Sequence, residues 1–158
     1  KLYNKDDINS SKHLKNLGPD AMGENFSINY FFKNKERKTN IKNLLMNQNF
    51  VSGLGNIYCS EILFDAKINP SRCSSSLKKF EIEKIIVSAK KILKTAINMG
   101  GTTIKNFIVS DEKIGYFKNR LMVYGRENLV CIRCKNNNYI KKVKHSGRST
   151  FFCSVCQL

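Results

Sequence analysis

The chain has 158 residues, of which 28 are Lys or Arg and 12 are Asp or Glu, so its formal net charge is +16. Its apolar content of 41% supports a packed core and excludes a wholly disordered chain. The charge indicates a polyanionic partner such as nucleic acid. An anionic membrane is the weaker alternative, because no apolar run approaches the roughly 18 residues that span a bilayer, and a charge that serves only solubility stays open.

The first elements in chain order are a connector and a series of helices. Residues 1–22 are polar and end in a turn-like Gly-Pro-Asp, which predicts a connector. Apolar residues at helical spacing then predict helices over about 27–35, 40–47 and 57–66, and a long helix whose apolar stripe runs from Ile82 to Ile97.

The pattern changes in the last third of the chain. A glycine pair at 100–101 ends the long helix, and residues 101–125 have no sustained period and are predicted to form a loop. Residues 138–145 and 149–152 flank a Ser-Gly turn and predict a β-hairpin. The predicted fold is mainly α, with a helical domain over 23–122 and a small β-hairpin module over 123–158.

Four of the six cysteines are patterned as a metal site. Cys131 and Cys134 form one C-x₂-C pair, Cys153 and Cys156 form another, and 18 residues separate the pairs. This spacing is typical of structural zinc, in which four thiolates close a tetrahedron and leave no position for a catalytic water. Redox motifs or disulfides do not explain why the pairs bracket a hairpin too small for its own core, so we expect one structural Zn²⁺.

The predicted hairpin is cationic. It carries three lysines, His145 and Arg148. A metal-held, positively charged projection is suited to gripping DNA phosphates, although an ordinary solvated surface has the same composition. His145 is interpreted as a polar hairpin residue rather than a fifth ligand, because four cysteines complete the site.

A glycine-rich turn, Gly53-Leu-Gly55-Asn56, lies between two of the predicted helices. Glycines let a backbone approach a ligand, and the N–H groups at a helix start bind phosphate. Lys42 and Arg37 would add charge to the same phosphate track. The alternative is an ordinary turn in which Asn56 caps the next helix.

Several motifs occur together in an order that resembles the formamidopyrimidine-DNA glycosylase family. Residues 40–58 (NIKNLLMNQNFVSGLGNIY) resemble the helix–two-turns–helix motif of that family. The strings GGTT at 100–103, GYF at 115–117, VYGR at 123–126 and GRSTFFC at 147–153 follow in the family's order. The resemblance covers residues 17 to 157, and it implies a helix–two-turns–helix helical bundle followed by a zinc finger.

The resemblance implies an enzyme of base-excision repair. The family removes oxidised purines, such as 8-oxoguanine and formamidopyrimidines, from double-stranded DNA, flips the damaged nucleotide into a pocket and cuts the strand at the abasic site. It further implies a monomeric, cytoplasmic, nucleoid-associated bacterial protein with no membrane partner. The family's DNA-contacting positions correspond here to Arg37, Lys42, Asn56, Lys105, Tyr116 and Arg148.

Those positions have different implied roles. Asn56 and Lys42 are expected to hold phosphates beside the flipped nucleotide, with Arg37 as a further basic contact. Arg148 is expected to grip phosphate and to assist the second elimination step. The segment from Lys105 to Tyr116 matches the loop that closes over the extruded base.

This sequence also departs from the family's pattern. Glu112 and Ile114 stand where the family usually has Gly and Pro, which indicates altered base capping. The family's nucleophile is an N-terminal proline amine followed by a glutamate, in a preceding β-rich domain. Pro19 and Pro70 are internal, and their tertiary amide nitrogens cannot form a Schiff base.

We therefore expect residues 1–22 to connect to a catalytic domain that this chain lacks, and the chain alone to be inactive. Two alternatives stay open. One is a stand-alone or decayed DNA-binding module without catalysis. The other is the related endonuclease VIII branch, which acts on oxidised pyrimidines.

Overall fold

The computed structural model describes residues 12–35, 38–102, 117–134 and 137–158. Its described helices are α1 (Lys12–Lys15), α2 (Ile28–Asn34), α3 (Ile41–Met46), α4 (Asn56–Asp65) and α5 (Lys79–Asn98), with 3₁₀ turns at Ser74–Ser76 and Phe117–Arg120. The strands β1 (Lys141–His145) and β2 (Arg148–Phe152) form one antiparallel pair. The expected order, helices followed by a small hairpin, is confirmed, whereas α1 was not predicted.

Local hydrogen bonds explain where the helices begin. Ser27 accepts from the Tyr30 N–H at 3.2 Å, and Asn40 accepts from the Asn43 N–H at 2.8 Å, so each side chain caps a helix. At the start of α5, the Glu81 carboxylate accepts from the Lys78 N–H at 2.8 Å. This bond is the half of a capping box in which the carboxylate of the third helical residue accepts the N–H of the cap residue.

The helical core is built around α4. Residues 59–64 of α4 are all buried, because α3 and α5 pack against it and the C-terminal hairpin contacts it as well. Phe26, Phe31 and Phe50 belong to the same core, where their rings contact one another. The predicted stripe of α5 is buried from Ile82 to Ala96, but Ile97 is 66% exposed, because Ala96 takes the inward position in the last turn.

The end of the predicted connector packs against the turn between α3 and α4. Gly18 donates to the Gln48 carbonyl at 2.8 Å, and Ser52 donates to the Pro19 carbonyl at 2.9 Å. A β-carbon at Gly18 would lie 2.4 Å from the Phe50 carbonyl, so only glycine permits this approach. Residues 18–21 are therefore part of the packed helical structure.

The hairpin module has its own small core, which it shares with α4. Phe64 of α4 packs with Val123, Ile140, Phe151 and two of the cysteines. The hairpin turns at Ser146 and Gly147, whose φ angles of 46° and 76° match the twist of the strands. Within the described ranges, no helix is both long enough and apolar enough to cross a membrane.

Candidate zinc centre and nucleic-acid interface

The four predicted cysteine ligands meet at one point. Their sulfurs all lie within 4.8 Å of one another. The Cys131–Cys156 and Cys134–Cys153 Sγ atoms are each 3.7 Å apart, close to the edge of about 3.8 Å that a tetrahedron with Zn–S bonds of about 2.3 Å requires. A disulfide needs sulfurs about 2.05 Å apart. The donor set therefore fits the predicted structural zinc and excludes these disulfides.

Backbone N–H groups donate to two of the four sulfurs, those of Cys131 and Cys153. Burial raises the pKa of Cys131, but N–H groups of Cys134 and Arg133 donate to its sulfur and bring the pKa down to about 7. The Cys156 N–H donates to the Cys153 sulfur at 3.4 Å. Such N–H donors stabilise thiolates, the form that binds zinc.

The glycine-rich turn between α3 and α4 is closed by one side chain. Gln48 accepts from the Gly53 N–H at 3.1 Å and donates to the Leu54 carbonyl at 2.8 Å. Gly53 has φ +88°, which favours glycine. Gly55 is the cap of α4 and has no side chain to bond its first N–H groups, so Asn56 is the first helical residue and not the cap. The alternative of an Asn-capped turn is thus wrong.

Lys42 is buried and joins the helical domain to the hairpin. Its ammonium group donates to the Asn56 Oδ1, to the Thr150 Oγ1 at 2.8 Å and to the Ser149 carbonyl at 3.3 Å. Burial lowers the pKa of Lys42 to about 8; the Cys59 thiol opposes this shift and the charge of Arg148 adds to it. All three ammonium protons are used inside the protein, so Lys42 contributes its charge from below the surface.

Asn56 and Arg148 complete this cluster at the surface. The Asn56 amide donates to the Ser149 carbonyl at 3.1 Å and to the Tyr124 hydroxyl at 3.4 Å. Arg148 is exposed at the start of β2. The structure thus brings together Lys42, Asn56 and Arg148, whereas Arg37, Lys105 and Tyr116 lie outside the described residues.

Glu61 is an important residue that sequence reasoning did not single out. It is 3% exposed, and its carboxylate accepts the N–H groups of Met122, Val123 and Tyr124 at 2.8, 3.0 and 2.8 Å. Burial raises its pKa, while these three donors and the charge of Arg126 oppose that shift. Glu61 thereby fixes the segment that leads into the finger. The sequence signal that could have identified it is an acidic residue within an otherwise apolar helix.

Two further residues tie the finger to the helical domain. Arg133 donates to the Phe64 carbonyl at the end of α4 at 2.5 Å and stacks over the Phe64 ring at 4.0 Å. Gln157 accepts from the Cys153 N–H and donates to the Ile68 carbonyl, each at 2.9 Å. Arg133 is therefore structural, and Lys142, one of the three lysines of the hairpin, is paired with Glu127 at 2.9 Å.

Two family profiles match the chain. The first, the formamidopyrimidine-DNA glycosylase H2TH domain, matches residues 17–108, and the second, a zinc finger found in FPG and IleRS, matches residues 128–158. The formamidopyrimidine-DNA glycosylase of Rickettsia felis is 43% identical over 99% of this chain and 56% of its own length. That of Yersinia enterocolitica is 43% identical over 96% of this chain and 56% of its own length. The chain spans about half the length of the curated relatives it matches.

Solved structures are similar in the same region. A Lactococcus lactis FPG mutant in complex with DNA containing Fapy-dG has a TM-score of 0.88 at 35% identity, over 97% of this chain and 56% of that one. A complex between the Lactococcus lactis Fpg and DNA with an abasic site has a TM-score of 0.85 at 34% identity, with the same coverage. MutM (FPG) from Thermus thermophilus has a TM-score of 0.88 at 33% identity, over 99% of this chain and 59% of that one.

Proposed function

Because this chain belongs to the formamidopyrimidine-DNA glycosylase family, we propose that it is the C-terminal part of a base-excision-repair glycosylase and abasic-site lyase that holds damaged double-stranded DNA. The lesions of this enzyme are oxidised purines, that is, 8-oxoguanine and formamidopyrimidines. It works as a monomer at the bacterial nucleoid. The remaining half of the enzyme supplies the nucleophile, so this chain alone releases no base.

One observation carries the proposal: the glycine-rich turn and the finger hairpin meet at the cluster of Lys42, Asn56 and Arg148. Asn56 is bonded to the Ser149 carbonyl, directly after Arg148, so the two predicted phosphate-contacting residues lie on adjoining surfaces. The uncapped start of α4 adds N–H groups and the positive end of a helix dipole. Lys42 adds a buried positive charge behind them.

This arrangement suits a phosphate clamp. Arg148 offers a planar, always charged donor group, and the start of α4 at Asn56 offers backbone N–H groups, while the zinc and Glu61 hold the hairpin in place. A clamp made of two rigid elements sets the position of the strand beside a flipped nucleotide. Arg37, Lys105 and Tyr116 are proposed to contribute the further contacts that the family resemblance implies, and Arg148 to assist elimination.

Fluorescence anisotropy with a duplex that contains an abasic site, measured over a range of salt concentrations, tests the proposal. The logarithm of affinity should fall by about 0.9 per neutralised phosphate for each tenfold rise in salt. Arg148→Ala and Asn56→Ala should each weaken binding by about tenfold, the effect of a hydrogen bond with a charged group. Lys94→Ala removes an exposed charge from α5 and is the matched control.

Either of two results would contradict the proposed function. One is an affinity of the parent chain that does not depend on salt. The other is an Arg148→Ala variant that binds no worse than Lys94→Ala. Borohydride trapping of the chain on abasic DNA at an enzymatic rate would contradict the assignment of the nucleophile to the other half.

A further inference from the structure

His145 bridges the hairpin and the loop that precedes α5. Its Nδ1 lies 3.0 Å from the Thr150 Oγ1 on β2, and its Nε2 lies 3.1 Å from the Ser71 Oγ. Thr150 is fully buried and also accepts from the Lys42 ammonium at 2.8 Å. His145 is therefore two hydrogen bonds from the centre of the proposed clamp.

The positions of the protons follow from the donors and acceptors. Lys42 can only donate, so the Thr150 oxygen is an acceptor in that contact. The Thr150 hydroxyl proton then needs an acceptor of its own, and the His145 Nδ1 is within reach. The imidazole proton consequently lies on Nε2 and is donated to Ser71. The hydrogen bonds run in one direction, from Lys42 through Thr150 and His145 to Ser71.

The charges around His145 favour its neutral form. Lys42 faces it from α3, and Arg148 is its pairing partner on β2. In the loop that holds Ser71, Arg72 is paired with Glu81 at 2.5 Å. Burial lowers the pKa of His145, and the charge of Lys42 lowers it further. The neutral ring keeps Nδ1 available to accept the Thr150 proton.

We propose that His145 is a positioning residue of the phosphate clamp, which acts through the Thr150 hydroxyl on Lys42 and thereby on Asn56. With its proton held by His145, Thr150 presents a lone pair to the ammonium group. Lys42 is then fixed against the Asn56 Oδ1, and the Asn56 amide is fixed against the hairpin. This inference rests on the proposed function for its effect on DNA, but its hydrogen-bond order does not depend on DNA.

Substitution of His145 by Asn or by Gln distinguishes the roles of its two ring nitrogens, because each amide side chain can replace only one of them. Asn places an oxygen near the position of Nδ1, and Gln places its amide near the position of Nε2. At pH 7, where Lys42 is mainly charged, His145→Gln and His145→Ala should weaken binding to the abasic duplex by about tenfold, the effect of a lost bond in a charged network. His145→Asn should restore most of the affinity, to within about threefold of the parent.

A double-mutant cycle tests whether His145 acts through Thr150. Thr150→Val keeps the shape and removes the hydroxyl, and should weaken binding by about tenfold. His145→Gln combined with Thr150→Val should bind no worse than Thr150→Val alone, because the path is already broken. Zinc content and melting temperature are measured for every variant. Additive losses, or a His145→Asn variant as weak as His145→Gln, would overturn the proposal.

Nitrogen-15 NMR of the histidine rings gives a test without DNA. In the parent chain the His145 proton should lie on Nε2, and Lys42→Met should raise the pKa of His145 because it removes a facing charge. A proton on Nδ1 would overturn the inference whatever the DNA result. Failure of the parent to bind DNA with a correct NMR result would refute the proposed function and leave the hydrogen-bond order standing.

Discussion

The replacement of Glu61 by alanine is the sharpest test of how the finger is held. The Glu61 carboxylate accepts three consecutive backbone N–H groups, of Met122, Val123 and Tyr124. In the alanine variant these donors lose their acceptor, and Val123, which is fully buried, has the least access to water in its place. The segment that leads into the finger should therefore loosen.

The magnitude follows from how exposed each donor is. A buried donor without a partner costs about 1–3 kcal/mol. Met122 is exposed, so water can replace the carboxylate there, whereas Val123 is buried and Tyr124 is partly buried. Each of these two unpaired donors carries that cost. Part of the cost is offset because the alanine variant no longer buries a charge, so we expect the free energy of unfolding to fall by about 2–4 kcal/mol. The total free energy of unfolding of a domain is typically about 5–15 kcal/mol, so this loss is a large part of it.

Glu61→Gln refines the test because it keeps one oxygen. The Glu61 Oε1 accepts from both Val123 and Tyr124, and the amide oxygen of Gln can serve both. Its NH₂ group then faces the exposed Met122 donor. We expect a smaller loss of about 1–2 kcal/mol.

The assay is urea unfolding followed by circular dichroism, at a fixed concentration of zinc. Glu83→Ala, at an exposed position on α5, is the matched control and should change the free energy of unfolding by less than about 0.5 kcal/mol. A Glu61→Ala variant that differs from the parent by no more than the Glu83→Ala control would refute the reasoning.

Two further predictions concern the metal and Lys42. A strong chelator should remove one zinc per chain and disorder the hairpin while α5 stays folded, because the finger core is small. Metal analysis measures the zinc content, and NMR shows which elements stay folded. A hairpin that stays folded without zinc would contradict this prediction. The pKa of Lys42 is about 8 in the folded chain against an ordinary 10.5. Between these values the unfolded chain holds more protons, so the contribution of Lys42 to the free energy of unfolding rises with pH. Urea unfolding from pH 7 to 10.5 should show this rise in the parent and its loss in Lys42→Met, and equal slopes would contradict it.

Much of the local architecture could be predicted because its causes are local in the sequence. Two C-x₂-C pairs around a short hairpin predict a tetrahedral metal site, and the structure brings the Cys131 and Cys156 sulfurs to 3.7 Å. The apolar stripe of α5 is buried as expected except at Ile97. The Ser-Gly turn lies where the alternation predicted it. In each case a spacing of a few residues decides which side chains share a face or a turn.

The roles of individual polar residues could not be predicted in the same way. Lys42 was expected to hold a phosphate beside the flipped nucleotide, and nothing in the sequence indicated that its ammonium group is buried against Thr150, a residue 108 positions away. Asn56 was considered as a helix cap and instead bonds the hairpin. Nothing in the local sequence indicates that Arg133 donates to the Phe64 carbonyl in the last turn of α4.

The sequence by itself determined the metal site, the order of helices and hairpin, and the family, since these depend on residue types at short spacings and on motifs in a fixed order. Only the tertiary structure decided that Glu61 anchors the segment after Arg120, that Lys42 is enclosed, and that His145 stands behind Thr150. Those outcomes depend on segments that are distant in the chain and meet only in the folded protein. Burial in such contacts turns an ordinary charged or polar side chain into one that holds the helices and the hairpin in a fixed relative position.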